Sequence, residues 1–172
     1  MTDSPTLPTA IDARAALERR EVSARELLET RLDVVNALNP AVNAIATLAI
    51  ERATQEAANV DERRASGEAV GPLAGLPISI KDALQTAGIR STGGSPELAD
   101  NVPDVDAPAV SRLRSAGAVV FAKTNLPCWS ADVQTYNELF GTTNNPWDLT
   151  RTPGGSSGGA AVNLATGQTW LA

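Results

Sequence analysis

At 172 residues, with 42% hydrophobic and 20% charged side chains, the sequence has the make-up of an ordinary globular chain with enough apolar material for one substantial core. A formal net charge of -6, a pI of about 4.6 and no basic stripe argue against a nucleic-acid surface, which leaves a small molecule or a protein as partner. The start lacks a basic stretch followed by an apolar one, no run has the apolar length of a membrane span, and a single cysteine makes neither an internal disulfide nor a metal cluster; the expectation is a cytoplasmic chain with no membrane contact, metal or cofactor.

From Thr9 to about Asn39 the pattern is helical. Ile11, Ala15 and Leu17 fall on one face, and Ser23 is an N-cap for a second run carrying Leu27, Leu28, Leu32, Val35 and Leu38. The pair Asn39-Pro40 is expected to end it. "VNAIATLAI" has the short apolar character of a strand, and "ERATQEAANVDERRASG" reads as an exposed helix closed by Gly67. From Gly71 the character changes. "LAGLPISIKDAL" reads as a strand, Gly88 to Pro108 as a loop, "APAVSRLRSAG" as a helix and "AVVFAK" as a strand. "NNPWDLTRTPGGSSGG" is then a long loop leading into the helix-forming "AAVNLATGQTW". This order predicts an α/β fold, a mixed sheet flanked by helices, within one domain: residues 1–67 form a mainly helical region and 68–172 the first part of the α/β core. The closing "QTWLA" is apolar where another strand would start, so the expectation is a chain cut inside an element, with a sheet edge open to self-association.

Chemistry centres on "RTPGGSSGGAA", where Ser156 and Ser157 are framed by Gly154, Gly155, Gly158 and Gly159. Glycines let a backbone take dihedrals closed to other residues and let a ligand approach it, so the serines are presented. The chain has no histidine, and serine chemistry here needs another base. Two rival readings are a flexible linker and a phosphate cradle at the start of the following helix, although Gly158, Gly159 and Ala160 stand where a phosphate loop needs its lysine. Lys81, in "LPISIKDAL", alternates with Ile78 and Ile80 and so faces away from them with Ser79. Desolvated in a cleft, such a lysine loses part of its preference for charge and can act as a base. The alternative is a surface lysine paired with Asp82 or a neighbour. Cys128, between Pro127 and Trp129, is either a small, partly buried side chain or a thiol nucleophile.

The stretches "LAGLPISIKD" and "AKTNLPCWSADVQTYNELFGTTNNPWDLTRTPGGSSGGAA", with the helical start, resemble the first part of an amidase-signature enzyme. That family hydrolyses C–N amide bonds with a Ser-Ser-Lys triad. The resemblance is strongest from Gly71 to Gly167 and implies an amidase-signature fold and a small-molecule amide substrate. It implies that Lys81 is the triad base and that Ser156, 75 positions later, is the bridging serine after a cis Gly155-Ser156 bond. Gly154, Gly155, Ser157, Gly158 and Gly159 then support the site. In the family the nucleophilic serine closes a Gly-Ser-Asp-x-Gly-Gly-Ser segment roughly two dozen residues beyond the bridging serine. Only 16 residues follow Ser156, so the nucleophile is expected to be absent and the chain inactive alone. Ser157 is a poor substitute, because a residue cannot easily receive the acyl group and leave its neighbour's relay geometry intact. "WSADVQTYNELFGTTNNPW" resembles the stand-alone amidases more than the runner-up, the amidase subunit of a glutamine-dependent amidotransferase. A non-catalytic fragment is the third reading.

Overall fold

In the computed structural model, which describes residues 9–172, helices α1 (Ala10–Glu18) and α2 (Ala24–Val42) each open on a capping box. Thr9 Oγ1 accepts from the Asp12 amide and Ser23 Oγ from the Glu26 amide, while each acid accepts the cap residue's own amide. Ser23 therefore caps as its type and position predict. Two details differ. Ile11 is 78% exposed, and α1 packs instead through Ala13 and Leu17, one helical turn apart. Nor does Pro40 end α2, which continues to Val42 and stops at Asn43 in the left-handed region, φ 49°. A proline removes one donor, whereas here Asn43 N–H donates to Asn39 O and the Asn39 side chain accepts from Ala44 and Ile45, so the terminus is satisfied past the proline.

Strand β1 (Ile45–Leu48) leads into α3 (Ile50–Ala65), which ends before Gly67 at φ 81°. The helix is less exposed than its charge suggests: Ala53, Ala57 and Val60 form a buried stripe. Strand β2 (Pro77–Lys81), helix α4 (Pro108–Ser115) and strand β3 (Val119–Thr124) follow. The sheet order is β1-β3-β2, with β3 parallel to β2 and antiparallel to β1, so the sheet is mixed. Every residue of β3 is buried, as a central strand covered on both faces requires. Leu17, Leu28, Val35, Ala53, Val60, Ile78 and Phe121 belong to the apolar cluster that joins α1, α2 and α3 to this sheet.

Beyond β3, the two-residue strands β4 (Tyr136–Asn137) and β5 (Gly141–Thr142) pair, and helix α5 (Gly158–Ala165) lies against β2 and β3. Asn163 Nδ2 donates to Ser79 Oγ at 2.8 Å, which buries the polar face of β2 under α5. The final residues also reach the sheet. Ser79 N–H donates to Leu171 O at 3.0 Å, so Leu171 occupies the outer edge of β2 at this position. Arg31, buried in α2, donates to Gly167 O at 2.6 Å and stacks over Trp170 at 4.1 Å. Among the described residues no helix is long and apolar enough to cross a membrane.

Candidate active site

Parallel strands β2 and β3 end side by side, with Lys81 in register with Thr124. The "GGSSGG" loop lies over these ends. Lys81 Nζ donates to Ser156 Oγ at 2.8 Å and to Ser157 Oγ at 3.0 Å, closing intervals of 75 and 76 positions. The Gly155-Ser156 peptide is cis. Ser156 is half-buried and Ser157 exposed.

The glycines answer to different constraints. Gly154 adopts φ 84°, a conformation side chains disfavour, although space around it is open. Gly155 lies against the backbone of Asp132 and Val133, and Gly158 against Thr135. At Gly159 a Cβ would come within 2.3 Å of Asn125 O, directly beyond β3. Thr135 Oγ1 ties the two arms of the loop together, donating to Gly154 O at 2.9 Å and accepting from Gly158 N–H at 3.0 Å. A segment stapled and packed in this way is not a flexible spacer.

Lys81 is half-buried, and desolvation holds its amine below the ordinary lysine range. It is not paired with Asp82. The Asp82 carboxylate is buried in a separate network, where Oδ2 accepts from Thr92 N–H at 3.0 Å and from Thr92 Oγ1 at 2.5 Å, and Oδ1 lies 3.5 Å from Lys123 Nζ. Lys123 is fully buried and donates to Leu84 O at 2.8 Å and Ser91 Oγ at 2.5 Å. Burial lowers its amine to about 8 even though Asp82 opposes that change. With its protons directed at Leu84 and Ser91, the ammonium meets Oδ1 at ion-pair distance without hydrogen-bond geometry.

Thr135 and Lys123 are thus structural contributors outside the predicted site residues. Thr135 sits inside "WSADVQTYNELFG" with nothing local to mark it. For Lys123 a signal exists: the chain has only two lysines, 81 and 123, its other basic residues being arginines, and Lys123 interrupts an otherwise apolar strand. Cys128 is half-buried and lines a cleft of about 400 Å³ with Gly94, Pro127, Asp132 and Tyr136. Asp132 also abuts Gly155, so this cleft adjoins the loop that carries the serines.

The amidase family model matches residues 26–172. The chain belongs to the amidase family. A glutamyl-tRNA(Gln) amidotransferase subunit of Heliobacterium modesticaldum is 46% identical over 160 residues, covering 93% of this chain and 33% of that protein. Peptide amidase from Stenotrophomonas maltophilia superposes with a TM-score of 0.89 at 34% identity, over 95% of this chain and 35% of the other. A bacterial aryl acylamidase of the amidase signature family does so with a TM-score of 0.90 at 32% identity, over 96% and 35%. The chain spans about a third of the length of the curated relatives it matches. The mixed sheet and its helices are thus a part of the amidase-signature fold.

Proposed function

We propose that this chain supplies the base and the bridging serine for hydrolysis of the C–N bond of a carboxylic amide, giving an acid and ammonia or an amine. The observation that carries the reading is the 2.8 Å contact between Lys81 Nζ and Ser156 Oγ. Uncharged Lys81 takes the Ser156 hydroxyl proton while Ser156 Oγ takes the proton of the attacking serine, which adds to the amide carbonyl. The same path, reversed, delivers the proton to the leaving nitrogen as the C–N bond breaks; water, deprotonated through the same relay, then adds to the acyl-serine and releases the acid as the serine oxygen regains its proton. Desolvation of Lys81 and the lack of a carboxylate partner for it among the described residues both favour the uncharged amine. Gly154, Gly155, Gly158 and Gly159 allow the loop to sit over the strand ends, and Ser157 helps to fix Lys81.

The 172 residues contain no Gly-Ser-Asp-x-Gly-Gly-Ser segment, and on this reading they release no ammonia from amides by themselves. An ammonia-release assay comparing this polypeptide with one extended to include that segment tests the proposal. Turnover only in the extended form, lost on Lys81→Ala, supports it. Turnover by the 172 residues that disappears with Ser157→Ala would instead make Ser157 the nucleophile.

A second reading rests on the curated relatives: at 46% identity to a glutamyl-tRNA(Gln) amidotransferase subunit, the chain fits a protein that draws ammonia from glutamine for a partner. Glutamine hydrolysis that rises on addition of a partner complex would favour it. Hydrolysis of simple amides without one favours the stand-alone amidase.

A further inference from the structure

The two lysines of this chain stand on neighbouring parallel strands, and between them lies a carboxylate that pairs with only one. Asp82 follows Lys81 directly, so an ion pair between them would be the simplest fate for both charges. Strand alternation turns their side chains apart, and the Asp82 carboxylate is received in a buried pocket by Thr92 and Lys123. Its backbone is fixed as well. Asp82 N–H donates to Thr124 O, and Asp82 O accepts from Gly93 N–H. Lys123 joins the same pocket to Leu84 and Ser91. The other charged groups acting on Lys123 are Arg114 of α4 and Asp106 before it, which pair with each other at 2.7 Å. What meets Lys81 Nζ is the hydroxyls of Ser156 and Ser157.

We propose that Lys123 is a positioning residue that neutralises the Asp82 carboxylate inside the fold and so keeps it from acting as the counter-ion of Lys81. A lysine beside an unscreened carboxylate stays protonated and cannot take a proton from a serine. The inference rests on Lys81 being the base. Lys123 touches neither serine; it acts through Asp82.

The test is the pH dependence of Lys81 acetylation by acetic anhydride, followed by peptide mass mapping, since the rate tracks the uncharged amine. Below pH 8, where Lys123 is still charged, Lys123→Met is expected to lower the Lys81 labelling rate about tenfold. Adding Asp82→Asn to that variant is expected to restore the wild-type profile, which a merely structural role for Lys123 would not do. An unchanged Lys81 labelling rate at neutral pH in a Lys123→Met protein that still unfolds cooperatively overturns the proposal. Asp82→Asn alone, which keeps an acceptor for Thr92, decides the matter if Lys123→Met fails to fold. An unchanged Lys81 labelling rate at neutral pH is what the screening requires, and a rise of about tenfold shows that Asp82 already acts on Lys81 in the native protein and refutes it. These profiles require no turnover, so their outcome is separate from that of the ammonia assay.

Discussion

Apart from Ser79, the parallel strands β2 and β3 are apolar along most of their length and polar at their C-terminal ends, and the two regions are held by different forces. Ile78, Val119, Val120 and Phe121 are buried in the cluster that joins the sheet to the helices. That attraction is non-directional and grows with buried apolar area. Around the strand ends, Ser91, Thr92, Lys123 and Asn125 are equally buried but held by hydrogen bonds of 2.5 to 3.0 Å. Such bonds fix position because they weaken steeply with poor geometry. The apolar region supplies stability, and the polar ends aim Lys81 at the serines.

Lys81→Ala in an extended, active chain separates the two regions most strongly. Turnover should fall by about a thousandfold or more, with the unfolding transition nearly unchanged, because a half-buried amine is lost and no apolar packing with it. Wild-type rates in that variant would remove Lys81 as base. Phe121→Ala should do the opposite, costing about 3 to 5 kcal/mol in denaturant unfolding through the cavity it leaves, while any folded fraction keeps the Lys81–Ser156 contact. A loss below about 1 kcal/mol would show that the helix–sheet core is not where stability resides.

A pH titration of stability sharpens the contrast. Lys123 is lowered to about 8 in the fold from 10.5, so between these values the unfolded chain binds a proton that the folded chain does not. Its contribution to stability therefore rises as pH increases through this window, by up to about 3 kcal/mol. Measured against Lys123→Met, the wild type should gain across pH 8 to 10.5, and parallel curves would show that the amine is charged in both states. Ser23→Ala, far from the strand ends, should cost only about 1 kcal/mol through the lost capping box of α2 and leave Lys81 labelling unaltered.

Much of the fold can be read from neighbouring residues. Ser23 followed by Glu26, the apolar alternation around Ile78 and Ile80, and Gly67 after a charged helical run each act within a few positions, and the corresponding elements form there. The end of α2 is different: Pro40 signals a stop, but the Asn39 side chain and the left-handed Asn43 rescue the terminus two residues later, which local propensity does not express. Lys81 and Ser156 are marked by resemblance; spacing alone favours a surface Lys81 paired with Asp82 or a neighbour.

By itself, then, the sequence determined the order of the five helices and of β1, β2 and β3, though not the β4–β5 hairpin, together with the family and the lack of a histidine base, all of which depend on residue type and short-range pattern. Only the tertiary structure decided which charge each lysine meets. Asp82 adjoins Lys81 in the chain but is matched with Lys123, 41 positions away, because strand alternation turns successive side chains to opposite faces while parallel pairing sets β3 beside β2. Thr135 became the staple of the serine loop for a related reason: the hairpin of β4 and β5 carries the chain back so that its hydroxyl meets Gly154 and Gly158, a contact between residues about 20 positions apart that no local pattern encodes.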